Sequence, residues 1–158
     1  MNKVIILDVD KTLIDAVHSK HGSPNELMCY IKAGNYYVYL RPHVLSFIDF
    51  CFEQTPFVII WSAGTQDYIE GVIKFLLNIY PFYRVLTRNT YDTIKKNVNL
   101  LLTDDIINSS LILFVDDKPN RIIYDKEDVL ILEIDPYDYK TYDDKLLEIQ
   151  LQIELILT

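Results

Sequence analysis

Four aspartates stand where hydrophobic runs end. Asp8 and Asp10 follow Lys3–Leu7 (KVIIL), with Thr12 two residues further on, and Asp116 and Asp117 follow Leu111–Val115 (LILFV). A third apolar run, Phe57–Trp61 (FVIIW), ends at Ser62. Carboxylates at the end of a buried strand are costly unless paired, hydrogen-bonded or bound to metal. Several at one site repel one another, which raises a pKa or calls for a cation. Hard oxygen donors with little histidine or cysteine nearby select Mg²⁺ over zinc. A carboxylate beside Mg²⁺ can attack phosphorus and become an aspartyl-phosphate. A second carboxylate can then serve as general acid and base. A hydroxyl such as Ser62 and a cation such as Lys96 would hold the non-bridging phosphoryl oxygens.

These residues can act together only if the strands that carry them are neighbours. Short, fully apolar runs separated by amphipathic stretches are the pattern of an α/β domain with a parallel sheet buried on both faces. Ligands in such sheets bind beyond the carboxyl ends of the strands. Val129–Ile134 reads as a fourth apolar strand and Tyr83–Leu86 as a short one. Leu27–Lys32 and Tyr36–Leu40 flank Ala33-Gly34-Asn35, the pattern of a hairpin. Pro42 suits the first turn of a helix from about His43 to Glu53. Thr65 is placed to cap a second helix, running to about Tyr80, where Pro81 stops it. In the tail, Leu146, Ile149, Ile153 and Ile156 trace a helical stripe, although Leu147 to Leu155 also alternate as a strand would. Thr141 with Asp144 resembles a capping box and favours the helix.

The 158 residues fit one domain with one real core. Half are hydrophobic and 24% are charged, the balance of a globular chain. The net charge of −8 argues against extensive nucleic-acid binding, for which phosphate neutralisation supplies most of the affinity. The two cysteines, Cys29 and Cys51, sit in apolar stretches without metal-site spacing, which speaks against a disulfide framework or a zinc site. Val4–Leu7 is too short for a signal peptide or a membrane span. These features are expected of a soluble intracellular protein, cytoplasmic or nuclear.

The segment Asp8-Val9-Asp10-Lys11-Thr12 resembles the DxDxT motif of the haloacid-dehalogenase superfamily. Four segments, LDVDKTLID (7–15), YLRPHVLSFI (39–48), IIWSAGTQDY (59–68) and LFVDDKPNRI (113–122), resemble in order those of the small phosphatases that act on the C-terminal domain of RNA polymerase II. The likeness spans about residues 3 to 135. It implies a haloacid-dehalogenase-like Rossmannoid fold over residues 1–158. The central parallel sheet would have helices on both faces and a small β-hairpin insertion at about residues 19–40. The stretch between Asp8 and Ser62 is too short for a large cap.

The resemblance also implies roles. Asp8 would be the nucleophile. Asp10 would protonate the leaving group and then activate water. Thr12, Ser62 and Lys96 would form the phosphate-binding set, with Thr12 better suited to bracing the loop and Lys95 the alternative to Lys96. Mg²⁺ would be held by the Asp8 carboxylate, the Asp10 backbone carbonyl and Asp117, with Asp116 close by. The substrate would be phosphoserine or phosphothreonine in a protein or peptide, the RNA polymerase II C-terminal domain among the candidates. The same chemistry on phosphotyrosine, a nucleic-acid 3′-phosphate or a small phosphometabolite is the runner-up, and a non-catalytic scaffold is the reading of another class.

Other residues carry weaker signals. Arg41, Arg88, Lys95, Lys96, Lys118 and Arg121 lie near the motif segments and would make a local positive funnel. Arg41 equally suits a structural ion pair. Tyr30, Ile31, Tyr37 and Tyr39 suit either a pocket for an apolar substrate side chain or ordinary sheet packing. Trp61 reads as core, and His18, His21 and His43 lack ligand spacing.

Overall fold

Strand order explains why the chemistry converges. In the computed structural model, which describes residues 1–24 and 30–158, the chain begins β1 (Lys3–Leu7), β2 (Ile14–His18), β3 (Tyr30–Ala33), β4 (Tyr36–Leu40), α1 (Val44–Gln54) and β5 (Val58–Trp61). It continues through α2 (Gln66–Val72), α3 (Lys74–Ile79), β6 (Arg84–Leu86), α4 (Arg88–Tyr91), β7 (Lys96–Asn97) and α5 (Asp105–Asn108). It finishes with β8 (Leu111–Asp116), β9 (Ile122–Ile123), β10 (Val129–Glu133) and α6 (Lys145–Leu157). Five strands form one parallel sheet in the order β10-β8-β1-β5-β6. Leu7 stands in register with Ile60 on one side and Val115 on the other. The next residues, Asp8, Trp61 and Asp116, therefore leave the sheet side by side.

Alternation along each strand sends successive side chains to opposite faces. Ile5, Leu7, Val58, Ile60, Leu113 and Val115 pack against α1, α2, α3 and α6 through residues such as Phe47, Ile69, Leu76 and Ile153. Val4, Ile6, Ile59, Trp61, Ile112 and Phe114 pack on the other face against Val98, Leu101 and Ile107. Both faces of the sheet are thus covered, which is why its strands read as unbroken apolar runs. Trp61 is core, packed against Phe114 and Tyr91.

The insertion is a second, antiparallel sheet in the order β2-β4-β3. Gly34, at φ 57°, makes the turn between β3 and β4 where the hairpin was expected. Leu27, Met28 and Cys29 of the expected first arm lie outside the described residues. β2 is an addition to the expectation, and it brings the start of this sheet forward to Ile14. Among the described residues no cap stands over the strand tips, and no helix is long and apolar enough to cross a membrane.

Two helices differ from the expected pattern. The segment after Thr65 is broken at Ile73 (φ −116°, ψ 18°), two residues past the helix-weakening Gly71. Thr65 does cap it, accepting from the Tyr68 amide. The tail is helical, with Leu146, Ile149 and Ile153 buried in the core, but the capping box is not formed. The Thr141 hydroxyl donates instead to the Asp138 carbonyl.

Candidate active site

The loop after β1 is tightly built. The amides of Thr12, Leu13 and Ile14 all point to the Val9 carbonyl, and the Lys11 amide donates to Ile14 O at 2.7 Å. Lys11 adopts φ 65°, the left-handed region that a side chain rarely takes. Its ammonium reaches Asp15 at 2.8 Å, and its carbonyl accepts from the Tyr137 amide. Arg41 locks this loop from below. Its side chain is fully buried and binds Asp143 through Nε and Nη2, both at 3.1 Å. Nη1 donates to the carbonyls of Lys11 (3.0 Å) and Thr12 (3.2 Å), and Nη2 to that of Asp135 (2.7 Å). Arg41 is thus the structural ion pair, not part of the funnel.

Inside this frame the Asp8 carboxylate is held on both oxygens. Thr12 Oγ1 donates to Oδ2 at 2.8 Å, and Lys96 Nζ donates to Oδ1 at 2.7 Å. Lys96 also donates to Asp116 Oδ2 at 2.7 Å, while the Lys118 amide holds Asp116 Oδ1 at 2.8 Å. Lys96 is buried, 3% exposed, whereas its neighbour Lys95 is exposed. The structure therefore brings Lys96, not Lys95, to the carboxylates. β7, which carries Lys96, is fixed by parallel pairing with β9 just after the Asp116 loop. Ser62 is buried at the tip of β5, its hydroxyl accepting from the Gly64 amide at 3.0 Å. Asp10 accepts from the Tyr68 hydroxyl at 2.5 Å.

Burial sets the electrostatics. It raises the pKa of Asp8, opposed chiefly by Lys96. It raises Asp116, with the Asp8 charge adding and Lys96 opposing. Asp10 is also raised by burial, against the Tyr68 hydrogen bond, with Asp8 and Asp15 adding to the rise. Burial works against the Lys96 ammonium, but Asp8 and Asp116 outweigh it and hold its pKa above the usual lysine value.

Asp8, Asp116 and Asp117 each offer a carboxylate oxygen, and these oxygens lie within 4.8 Å of one another. Among the described residues only Lys96 is ion-paired with this cluster, one ammonium against three hard oxygen donors, and this set fits a hard divalent cation. The Asp10 carboxylate stands outside that cluster.

The tips open into a pocket of about 470 Å³ that includes Asp8, Asp10, Ser62, Lys96, Asp116 and Asp117. Thr12 braces Asp8 from behind and does not line it. Of the expected funnel, Arg88, Lys118 and Arg121 line the wall beside Lys96, whereas Arg41 and Lys95 do not. Among the described residues of the insertion, only Tyr36 reaches the pocket. Tyr30 packs edge-on against Tyr37, and Tyr39 stacks on Tyr139 at 4.3 Å, so these residues serve sheet packing. His43 pairs with Asp144 at 2.8 Å, away from the pocket. Tyr68 was not singled out by sequence reasoning. Its only signal was its place in the segment after Ser62, one turn into a helix that starts at the strand tip.

The family model for NLI interacting factor-like phosphatases matches residues 3–157. The chain belongs to this family. No curated protein matches the sequence of this NLI interacting factor-like chain. Its fold is similar to that of the RNA polymerase II CTD phosphatase Fcp1. A fission yeast Fcp1 variant bound to beryllium fluoride superposes with TM-score 0.63 at 18% identity, covering 99% of this chain and 50% of that one. A second structure of Fcp1, described as an essential RNA polymerase II CTD phosphatase, gives TM-score 0.64 at 16% identity, with 98% and 49% covered. The family member described here thus spans about half the length of these Fcp1 chains. A HAD-superfamily hydrolase from Ehrlichia chaffeensis is similar over the whole of both chains, with TM-score 0.60 at 13% identity. These likenesses establish a haloacid-dehalogenase-like α/β fold.

Proposed function

We propose that this chain is a Mg²⁺-dependent phosphomonoesterase that works through an aspartyl-phosphate on Asp8 and acts on phosphoserine or phosphothreonine in an extended protein segment. The observation that carries the reading is the Asp8 carboxylate, pinned by Thr12 and Lys96 at the floor of an open pocket with Asp10 beside it. In the first step an Asp8 oxygen bonds to phosphorus while the bond from phosphorus to the substrate oxygen breaks. Asp10 gives that departing oxygen its proton. In the second step water bonds to phosphorus, the Asp8–phosphorus bond breaks, and Asp10 takes a proton from the water.

Lys96 and the Ser62 hydroxyl hold the non-bridging oxygens. Asp8, the Asp10 carbonyl and Asp117, with Asp116 close by, would hold Mg²⁺, which when bound offsets the carboxylate charge and polarises the phosphoryl group. Burial of Asp10 favours its protonated form, which suits an acid in the first step.

The lack of a cap among the described residues supports a macromolecular substrate, because none of these residues closes over a small one. Arg88, Lys118 and Arg121 on the wall would attract a phosphorylated segment, such as that of the polymerase domain on which Fcp1 acts. The test is phosphate release from an aryl phosphate at mildly acidic pH, with Mg²⁺ or EDTA. A phosphoserine-proline peptide, a phosphotyrosine peptide and a 3′-phosphorylated oligonucleotide are then compared. The reading expects activity only with Mg²⁺, its loss in Asp8→Asn, and preference for the phosphoserine peptide. No turnover by folded, Mg²⁺-loaded protein on any of these would place the chain with non-catalytic scaffolds.

A further inference from the structure

Tyr68 is held from three sides. Its hydroxyl donates to Asp10 Oδ1 at 2.5 Å. Tyr36, reaching in from the insertion sheet, meets its ring edge-on at 5.1 Å. On the third side lies Gly64, where a Cβ would come within 2.8 Å of Tyr68 Cδ1 and 3.3 Å of Ser62 Oγ. Glycine at 64 is therefore what lets the ring lie against the loop that carries Ser62. The ring comes from α2, whose start is fixed by the Thr65 cap, so the hydroxyl is aimed by a helix and not by a loop.

We propose that Tyr68 is a positioning residue for Asp10: its hydroxyl occupies Oδ1, fixes the carboxyl rotamer, and confines the transferable proton to Oδ2. Among the described residues Oδ2 has no hydrogen bond of its own, and Asp10 lines the pocket. An oxygen already accepting a hydrogen bond from a phenol is the poorer site for the proton, so one oxygen of Asp10 does both proton transfers. Tyr36 and Gly64 act through Tyr68, by keeping the ring in place. The inference rests on the phosphatase reading above and adds to it how the general acid is aimed.

Tyr68→Phe keeps the ring and its contacts and removes only the hydroxyl. Leaving groups separate a role in proton transfer from a general structural one. An alkyl phosphate such as phosphoserine expels a strongly basic oxygen and needs the acid; a nitrophenyl phosphate expels a stable phenolate and hardly does. The comparison uses kcat/KM, which reports steps up to formation of the aspartyl-phosphate. A well-placed general acid contributes about 10²–10⁴-fold. Tyr68→Phe is therefore expected to lower kcat/KM about tenfold or more on the phosphoserine peptide and less than about threefold on the nitrophenyl ester. Asp10→Asn should show the same ordering with a larger loss, and adding Tyr68→Phe to it should have no further effect.

An equal loss on both esters, no loss on either, or full additivity with Asp10→Asn would overturn the assignment. Failure of the phosphatase reading looks different. In that case the wild type hydrolyses neither ester, or Asp10→Asn shows no dependence on the leaving group.

Discussion

Arg41 holds the loop after β1 to the C-terminal segment, and its removal should cost much of the stability of the fold. Arg41→Met keeps the unbranched stem as far as the Nε position and deletes five hydrogen bonds, two to Asp143 and one each to the carbonyls of Lys11, Thr12 and Asp135. The losses are unequal. Lys11 O keeps the Tyr137 amide and Asp143 Oδ1 keeps the Lys145 amide, so Thr12 O and Asp135 O lose most. Breaking one side of a buried ion pair costs about 3–5 kcal/mol. That is a large part of a total stability of about 5–15 kcal/mol. At about 2–4 °C per kcal/mol for a chain of this size, the melting temperature should fall by about 6–20 °C.

Arg41→Lys keeps the charge but cannot span a bidentate carboxylate and three carbonyls, so it should recover less than half of the loss. Asp143→Ala should cost less than Arg41→Met, because Asp143 is partly open to water and its loss leaves the three carbonyl bonds of Arg41 intact. Urea and thermal unfolding followed by circular dichroism provide the measurement. A melting temperature for Arg41→Met within about 3 °C of wild type would refute the clamp, since it would place the loss near 1 kcal/mol.

Three other outcomes are expected. Lys96→Met removes the cation between Asp8 and Asp116, so phosphatase activity should be lost and Mg²⁺ should raise the melting temperature more in the variant than in wild type, as calorimetry would show. Tyr137 is 1% exposed with a hydroxyl that has no hydrogen-bond partner among the described residues, so Tyr137→Phe should be neutral or stabilising by about 1 kcal/mol in urea unfolding. Burial, then Asp143 and Asp15, push its pKa up to about 12, so folding favours the neutral phenol. Wild-type stability should therefore decline as pH rises from about 10 towards 12, and less steeply in Tyr137→Phe. Burial raises the Cys51 thiol pKa and leaves it unexposed, so in a Cys29→Ser background iodoacetamide should label it only at the rate of unfolding, as mass spectrometry would report.

Much of the site was legible because the strands that build it are short, apolar on both faces and end in polar residues. KVIIL, FVIIW and LILFV needed no partner to be recognised, and parallel pairing places their ends together. Thr12, Ser62 and Asp116 could be placed by their distance along the chain from a strand end. Lys96 could not. Between Thr87 and Ser110 the chain makes four-residue helices and a two-residue strand, too short for any period to show, and only the pairing of β7 with β9 brings Lys96 inward.

Arg41 and Asp143 are far apart in sequence, and neither carries a local signal of burial. β2 was hidden because Asp15 interrupts it, yet Asp15 is buried and satisfied by Lys11 and the Tyr139 amide. The tail helix was readable from its stripe, whereas its capping box was a false match. Thr141 found a nearer carbonyl at Asp138, as threonine side chains commonly do.

The account stands on a phosphoryl group passing through Asp8. The most direct measurement is to quench the protein during turnover of an aryl phosphate with Mg²⁺, reduce it with borohydride, and map the peptides by mass spectrometry. Reduction of an aspartyl-phosphate at position 8 leaves homoserine there. The account predicts homoserine at residue 8 in wild type, more of it in Asp10→Asn if water attack is slowed, and none in EDTA. Turnover that persists in Asp8→Asn, or a phosphoryl group found on any other residue, would contradict it.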